Sequence, residues 1–394
     1  MAGASLEWLI DPISTETFFR EFWEQKPLVI NRRRPDYFRS LLSLDEVDRV
    51  LTTLDLRHPN ITLKDAARSI TSADYTIDGE TLDIARVYQH FQDGSTITLA
   101  YLDDIVPSLA ACCRALEREF SFPFQANVYL TPAGAKGAKY HYDTHDVFVL
   151  QAAHSKRWTL YGTPVVLPLT GQGFDASQHQ QGPATLEFEL QAGDIAYIPR
   201  GVVHDAQSGD EISLHITVGA LSYRWMDLLL ELVADAGLND ASFRRSLPAG
   251  FARPEFNRAQ ARSKARELLQ KLAAHPNIDA ILDRFVDQFL SACPPMLRGQ
   301  LSQLERLERL TLDSVACARS GVIYQIRADA DADAVMVDCY GRTIRLPLHA
   351  SDALRVALSG SSFVVRQLAD NLDAPGKLTL VRRLVREGLV EVLE

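Results

Sequence analysis

The chain has 394 residues, 46% of them hydrophobic, and 51 acidic against 41 basic side chains give a formal net charge of -10. That composition suits a folded protein of two or three domains, and the acidic balance opposes non-specific binding to nucleic acid, which draws on Lys and Arg against phosphates. No apolar stretch approaches the roughly 18 residues of a membrane span. "MAGASLEWLIDPIS" lacks the regions of a secretory leader. Cys112, Cys113, Cys293, Cys317 and Cys339 are scattered without a CxxC pair, which reads as thiols in a reducing, cytoplasmic setting.

In chain order, "STETFFREFWEQ" predicts a helix capped by Ser14 or Thr15, with Phe18, Phe19, Phe22 and Trp23 on one face. "KPLVINR" predicts a strand, and "SLDEVDRVLTTL" a helix whose Ser43 and Glu46 match a capping box. "LDIARVYQHFQDG" reads as a helix ending at Gly94, "STITLAYL" as a strand, and "IVPSLAACCRALEREF" as a helix with Pro107 in its first turn. From Phe124 to about Ser222 the runs "QANVYL", "VFVLQA", "RWTLYG", "TLEFEL", "IAYIP" and "ISLHITVGA" are separated by turn residues, the pattern of an antiparallel barrel or sandwich. Three helical stretches follow: "RWMDLLLELVADAGL", "RAQARSKARELLQKLAAH" and "IDAILDRFVDQFLSA". The remainder mixes helices and short strands. "ADADADA" (328–334) reads as an exposed acidic loop, and "LTLVRRLVREGLVEVLE" as helix, Gly388 stop and strand.

Chemistry concentrates in "HYDTHDVFVLQ" (141–151). His141, Asp143 and His145 alternate, and a strand presents every second residue on one face. Two histidines and a carboxylate on one face are the donors by which non-haem oxygenases hold Fe(II). His141 and Asp143 supply two donors, and in "GDIAYIPRGVVHDA" the Pro199-Arg200-Gly201 corner delivers His204 to a strand start. An HxD pair alone recurs by chance, whereas HxD before an apolar strand and a later G-D-x-x-x-x-P-x-G-x-x-H is specific. The competing reading is a set of polar residues satisfied at strand ends. His145 competes for the site but reads as a pocket-lining residue, as does His215 on "SLHITV". His154 and His179 are expected in solvated loops.

Here the chain resembles JmjC-domain 2-oxoglutarate oxygenases of the ribosomal oxygenase group, which hydroxylate ribosomal proteins. The likeness runs nearly end to end, through "FFREFWEQKPLVINR", "NVYLTPAGAKGAKYHYDTHDVFVLQ", "SKRWTLYG" and "GDIAYIPRGVVHDA". It implies an α+β fold: a double-stranded β-helix (cupin, jelly-roll, JmjC) core with N-terminal helices, a helical dimerisation region and a C-terminal winged-helix-like domain. The implied boundaries are an oxygenase domain at 1–225 (flanking elements 1–95, barrel core 96–225), dimerisation at 226–298 and the C-terminal domain at 299–394.

Residue by residue, the resemblance implies that His141, Asp143 and His204 hold catalytic Fe(II), with 2-oxoglutarate and O2 as co-substrates. Lys156 stands where the family pairs a cation with the distal carboxylate, as a buried carboxylate requires. Asn127 and Tyr129 match co-substrate pocket residues, and Thr217 a hydroxyl at the same end. Trp158 reads as core packing. Two departures stand out: Ala153-His154 where a glycine is common, and His145 where an apolar residue is common. His145, Asp146 and His215 are therefore expected around the substrate.

The expected activity is hydroxylation of an amino-acid side chain in a protein or peptide, a basic one to suit the acidic chain. Alternatives are the same chemistry on a natural-product peptide precursor or a small amino-acid-like molecule, N-methyl-lysine demethylation, or a non-catalytic cupin-like binding or scaffold protein. Arg382, Arg383 and Arg386 in "TLVRRLVREGL" raise a DNA-binding regulator, but acidic residues offset them and a structural or partner-binding role is favoured. A homodimer is expected, with no membrane and no direct nucleic-acid partner.

Overall fold

Period-two alternation builds the first of the two units into which the chain divides, Met1–Leu221 and Ser222–Glu394. The computed structural model describes residues 5–274, 277–329 and 331–393. Outside that set lie the start of the stretch read for a leader, His275 at the end of a predicted helix, Pro276, Ala330 within the acidic run, and the terminal Glu394.

The first unit contains β1 (Leu28–Ile30), β2 (Ile61–Lys64), β3 (Thr96–Leu99), β4 (Phe124–Thr131), β5 (Asp146–Ala153), β6 (Ser155–Leu160), β7 (Leu186–Gln191), β8 (Ile195–Ile198), β9 (His204–Ser208) and β10 (Ser213–Ala220). Seven form an antiparallel sheet in the order β1-β8-β5-β10-β4-β3-β2, and three form a second in the order β7-β6-β9. This is the expected cupin-type arrangement, with mixed helices and sheets.

Alternation explains why the larger sheet is covered on both sides. In β4, Phe124, Ala126, Val128 and Leu130 enter the outer core, as do Leu214, Ile216, Val218 and Ala220 of β10. Helices at Leu6–Ile10, Thr15–Glu21, Leu44–Thr53 and Pro107–Phe120 supply residues to that same core. Phe18, Phe148 and Tyr197 meet at its centre, with ring centroids 5.0–5.6 Å apart. Burying side chains of this size contributes roughly 1.5–3 kcal/mol each. The inner core joins Val147, Val149, Ala196 and Ile198 of the larger sheet to Trp158, Leu160 and Leu190 of the smaller. On β4 and β10 the inward positions are instead polar, including Tyr129, Thr131, His215 and Thr217. A polar inner face inside an apolar sandwich marks a chamber.

Two local expectations differ. The predicted helix over 14–25 ends at Glu21. Glu24 adopts a left-handed φ of 56° and its N–H donates to the Tyr197 hydroxyl at 2.8 Å, while Trp23 packs 4.8 Å from Phe120. Ser43 caps its helix by accepting from Glu46 N at 3.2 Å, but the Glu46 carboxylate pairs with Arg49 at 2.7 Å instead of closing the box.

In the second unit, helices span Trp225–Asn239, Arg258–Ala273 and Ile278–Ala292. One three-stranded sheet joins Phe363–Val364, Val315–Ala318 and Val390–Val392, and another joins Gln325–Asp329, Ala334–Cys339 and Arg342–Pro347. Of the run read as an exposed acidic loop, Ala328 and Asp329 end one strand, Ala334 starts the next, and residues 331–333 form an exposed turn. The helix Ala374–Arg386 stops before Gly388, whose φ is 76°. Among the described residues no helix is long and apolar enough to cross a membrane.

Candidate metal centre

The larger sheet and the smaller one each deliver part of one cluster. His141 and Asp143 lie in the extended segment leading into β5, not inside the strand, and His204 opens β9. His141 and His204 exchange backbone hydrogen bonds, N to O at 3.0 Å and 2.8 Å. Gly201 N donates to Asp143 O at 3.0 Å. These bonds bring the three side chains together, with candidate donor atoms all within 4.8 Å of one another. His204 Nε2 is 3.7 Å and His141 Nε2 4.0 Å from the Asp143 carboxylate.

The donor chemistry fits a divalent transition metal. His141 Nδ1 lies 2.9 Å from Lys139 O, and His204 Nδ1 lies 3.0 Å from Val202 O. A carbonyl only accepts, so each Nδ1 carries a proton, which leaves Nε2 as the atom that can ligate a metal. Burial and the neighbouring His141 hold the His204 imidazole below its usual value despite Asp143, which favours the neutral, ligating form. Burial alone would raise the Asp143 carboxyl, but His204, His141, His145 and Lys64 hold it below the usual carboxylate range.

The same cavity is lined by Tyr129, Lys156, Trp158, His215 and Thr217. Lys156 Nζ is buried and donates to Thr131 Oγ1 at 2.9 Å. Among the described residues no ion pair to it is formed, and burial pushes its ammonium down to about 7. Trp158 Nε1 and His215 Nδ1 are also buried without a hydrogen-bond partner. His215 stacks on Tyr129 at 4.8 Å and meets Trp158 edge-on at 5.5 Å. A buried cation and orphaned polar atoms in one chamber call for an occupant rich in acceptors. A dicarboxylate has that chemistry.

Asn127, His145 and Asp146 are not among the residues that line this cavity. Asn127 is half-buried and its Oδ1 accepts from Tyr101 N at 3.0 Å. The half-buried His145 ring lies over Gly219, where an added Cβ would be 2.5 Å from Cδ2. Asp146 contradicts its expected place beside the substrate. It is fully buried, and as an even-numbered β5 residue it shares the outer face with Phe148 and Leu150, whereas Val147 and Val149 face the cavity. His179 lies half-exposed in an irregular segment, as expected, 5.7 Å from the Phe174 ring. Lys64, Thr96 and Thr131 are additional site residues. Lys64 and Thr96 line the cavity from β2 and β3, Thr131 bonds Lys156 from the end of β4, and none of the three was singled out from the sequence.

Gly201, in the corner before His204, has φ 88°, and a Cβ there would lie 2.2 Å from Val165 O. Gly201→Ala is therefore expected to lower unfolding free energy by about 2 kcal/mol or more, measured by denaturant titration.

Residues 105–228 match the model of the JmjC domain. The chain is 31% identical over 327 residues to the bifunctional lysine-specific demethylase and histidyl-hydroxylase NO66 of Drosophila mojavensis, covering 77% of this chain and 36% of that protein. The chain is a JmjC protein of the ribosomal-oxygenase-like kind. It is also 29% identical to ribosomal oxygenase 2 of Mus musculus, across 98% of this chain and 91% of that one. The JmjC chain spans only 36% of that NO66 protein and 58% and 53% of ribosomal oxygenase 1 from Danio rerio and Gallus gallus. Its fold matches YcfD, a ribosomal oxygenase from Escherichia coli in complex with cobalt and succinic acid. The TM-score is 0.57 at 18% identity, covering 97% of this chain and 99% of that one.

Proposed function

We propose that the chain is an Fe(II)- and 2-oxoglutarate-dependent dioxygenase that hydroxylates an amino-acid side chain of a protein or peptide. One observation carries the reading: His141, Asp143 and His204 face a cavity that also contains a buried lysine, bonded to Thr131 and without an ion pair among the described residues. Those three residues would hold the metal, the histidines through Nε2. Fe(II) bound there would supply the redox chemistry that couples oxygen to decarboxylation of the 2-oxo acid.

The remaining roles belong to the protein. Lys156 holds the far carboxylate, and Thr131 orients its ammonium. Tyr129 and Thr217 wall the co-substrate chamber, and Asn127 stands two residues before Tyr129, on the same face of β4. Val147, Val149 and Trp158 exclude water. His145 flanks the site toward the substrate, and His215 belongs to the co-substrate wall.

A basic polypeptide suits the net charge of -10. The names of the relatives, ribosomal oxygenase and histidyl-hydroxylase, support a protein substrate. The word demethylase in one of those names favours N-methyl-lysine demethylation as the second reading.

Residues 226–298 serve as the dimerisation region in this proposal. Its support is the helix Trp225–Asn239, where Trp225 is 81% and Leu230 58% exposed, with Leu229 and Val233 also uncovered. Sedimentation of a homodimer is the expected outcome. Residues 299–394 form the winged-helix-like domain, with a partner-binding rather than DNA-binding role because Arg383 pairs with Glu387 at 2.8 Å. The five free cysteines suit a cytoplasmic setting.

Succinate is expected only when Fe(II), 2-oxoglutarate and air are all present. Metal binding without succinate would leave a binding protein. With ribosomal proteins added, a one-oxygen mass gain marks hydroxylation, and loss of a methyl group marks demethylation.

Lys156 also sets a pH dependence. Above about pH 7 the free chain loses its ammonium proton, and binding a carboxylate restores it. Affinity for 2-oxoglutarate is then full below that value and declines by up to about tenfold per pH unit above it. Calorimetric titration of the Co(II)-loaded chain should show that slope, and Lys156→Met should flatten it.

A further inference from the structure

Between the regular pairing of β5 with β8 and the mutual bonds of His141 with His204, the two ligand-bearing segments lose their ladder. Val147 opposite Ile198 is the last ordinary pair. Beyond it, Gly201 N donates to Asp143 O. Several further links converge on one carboxylate. Asp146 Oδ2 lies 2.5 Å from Arg200 Nη1, its Oδ1 accepts from the Tyr197 hydroxyl at 2.7 Å, and Arg200 N approaches Oδ1 at 3.4 Å. Asp146 stands three residues after Asp143, and Arg200 four before His204. Both are buried, on the face of the sheet away from the cavity.

We propose that the Asp146–Arg200 pair is a positioning latch that sets the spacing of Asp143 against His204, so that the metal site exists before the metal arrives. The proposal rests on the metal reading given above. A buried ion pair is weak support for stability, because desolvation offsets most of its attraction. Its distinctive property is direction: a guanidinium bonded to a carboxylate fixes two backbones in one register. Here the two backbones are the ones that end in ligands. Asp146 reaches neither the cavity nor the substrate, so its effect must pass through Asp143.

The structure contains its own control. Glu24 Oε1 lies 2.6 Å from the same nitrogen, Arg200 Nη1, but Glu24 belongs to the N-terminal segment and joins no ligand to another. Asp146→Asn and Glu24→Gln each remove one carboxylate charge from Arg200 while keeping side-chain shape. Both are compared with wild type by Co(II) titration, by the visible ligand-field spectrum of bound Co(II), and by thermal unfolding. The latch requires Asp146→Asn to weaken Co(II) binding about tenfold or more, the scale of outer-shell effects, and to shift the spectrum. Glu24→Gln should lose stability but keep wild-type affinity and spectrum.

Wild-type Co(II) binding by Asp146→Asn, or an equal loss in Glu24→Gln, would overturn the latch. If Asp146→Asn does not fold, Arg200→Lys replaces it, since lysine keeps the charge but not the two-backbone geometry; wild-type affinity and spectrum there would overturn the proposal, and a weakened, shifted site would support it. His204→Ala separates the two levels. If wild-type Co(II) binding survives His204→Ala, the metal reading itself fails; if it is lost there but unchanged in Asp146→Asn, only the latch fails.

Discussion

His204→Ala is expected to abolish metal binding and succinate formation together. The ring is buried at the start of β9, its Nδ1 is held by Val202 O at 3.0 Å, and its Nε2 faces Asp143 at 3.7 Å. Alanine leaves two donors where three are needed, and no other described histidine reaches the cluster. The loss should therefore exceed the roughly 10–100-fold typical of changes outside the ligand shell. Metal titration and a succinate assay on the same folded sample check it. Retained turnover would remove His204 from the centre.

Lys156→Met is expected to act with opposite signs on binding and on stability. Methionine fills similar space without bringing a charge into the interior, so unfolding free energy should hold or rise. Binding of 2-oxoglutarate should weaken by about 2–5 kcal/mol, at least roughly 30-fold, because a buried carboxylate loses its cation. Metal affinity should stay at the wild-type level, since Lys156 lies outside the three-donor cluster. Denaturant unfolding and co-substrate titration would reveal the split. A merely structural lysine would show neither the binding loss nor the flattened pH slope.

Much of this was legible because strands repeat every two residues. "FQANVYLT" and "SLHITVGA" alternate apolar with polar side chains, and that alternation separates the outer core from the chamber. His141, Asp143 and His204 were readable from their spacing and donor chemistry, whereas Lys156 was reached only through the family resemblance; all four line one cavity. Asp146 was misplaced through parity. It follows His145 directly, but its even position turns it toward Phe148 and Tyr197. Lys64 and Thr96 were not readable, because their approach depends on β3 and β2 extending the sheet beyond β4, a long-range pairing with no local signature. The helix end at Glu21 likewise depends on Tyr197, which lies 173 positions from the Glu24 N–H that it accepts.

The central claim is that this chain uses 2-oxoglutarate and oxygen to oxidise a polypeptide at the His141–Asp143–His204 centre. Mass spectrometry of a protein substrate after reaction under isotopically heavy oxygen gas addresses it directly. One heavy oxygen atom should enter a single side chain, only with Fe(II) and 2-oxoglutarate present and only with His204 intact. Labelling that persists in His204→Ala, or succinate release with no labelled site on any ribosomal protein or basic peptide tested, would contradict it.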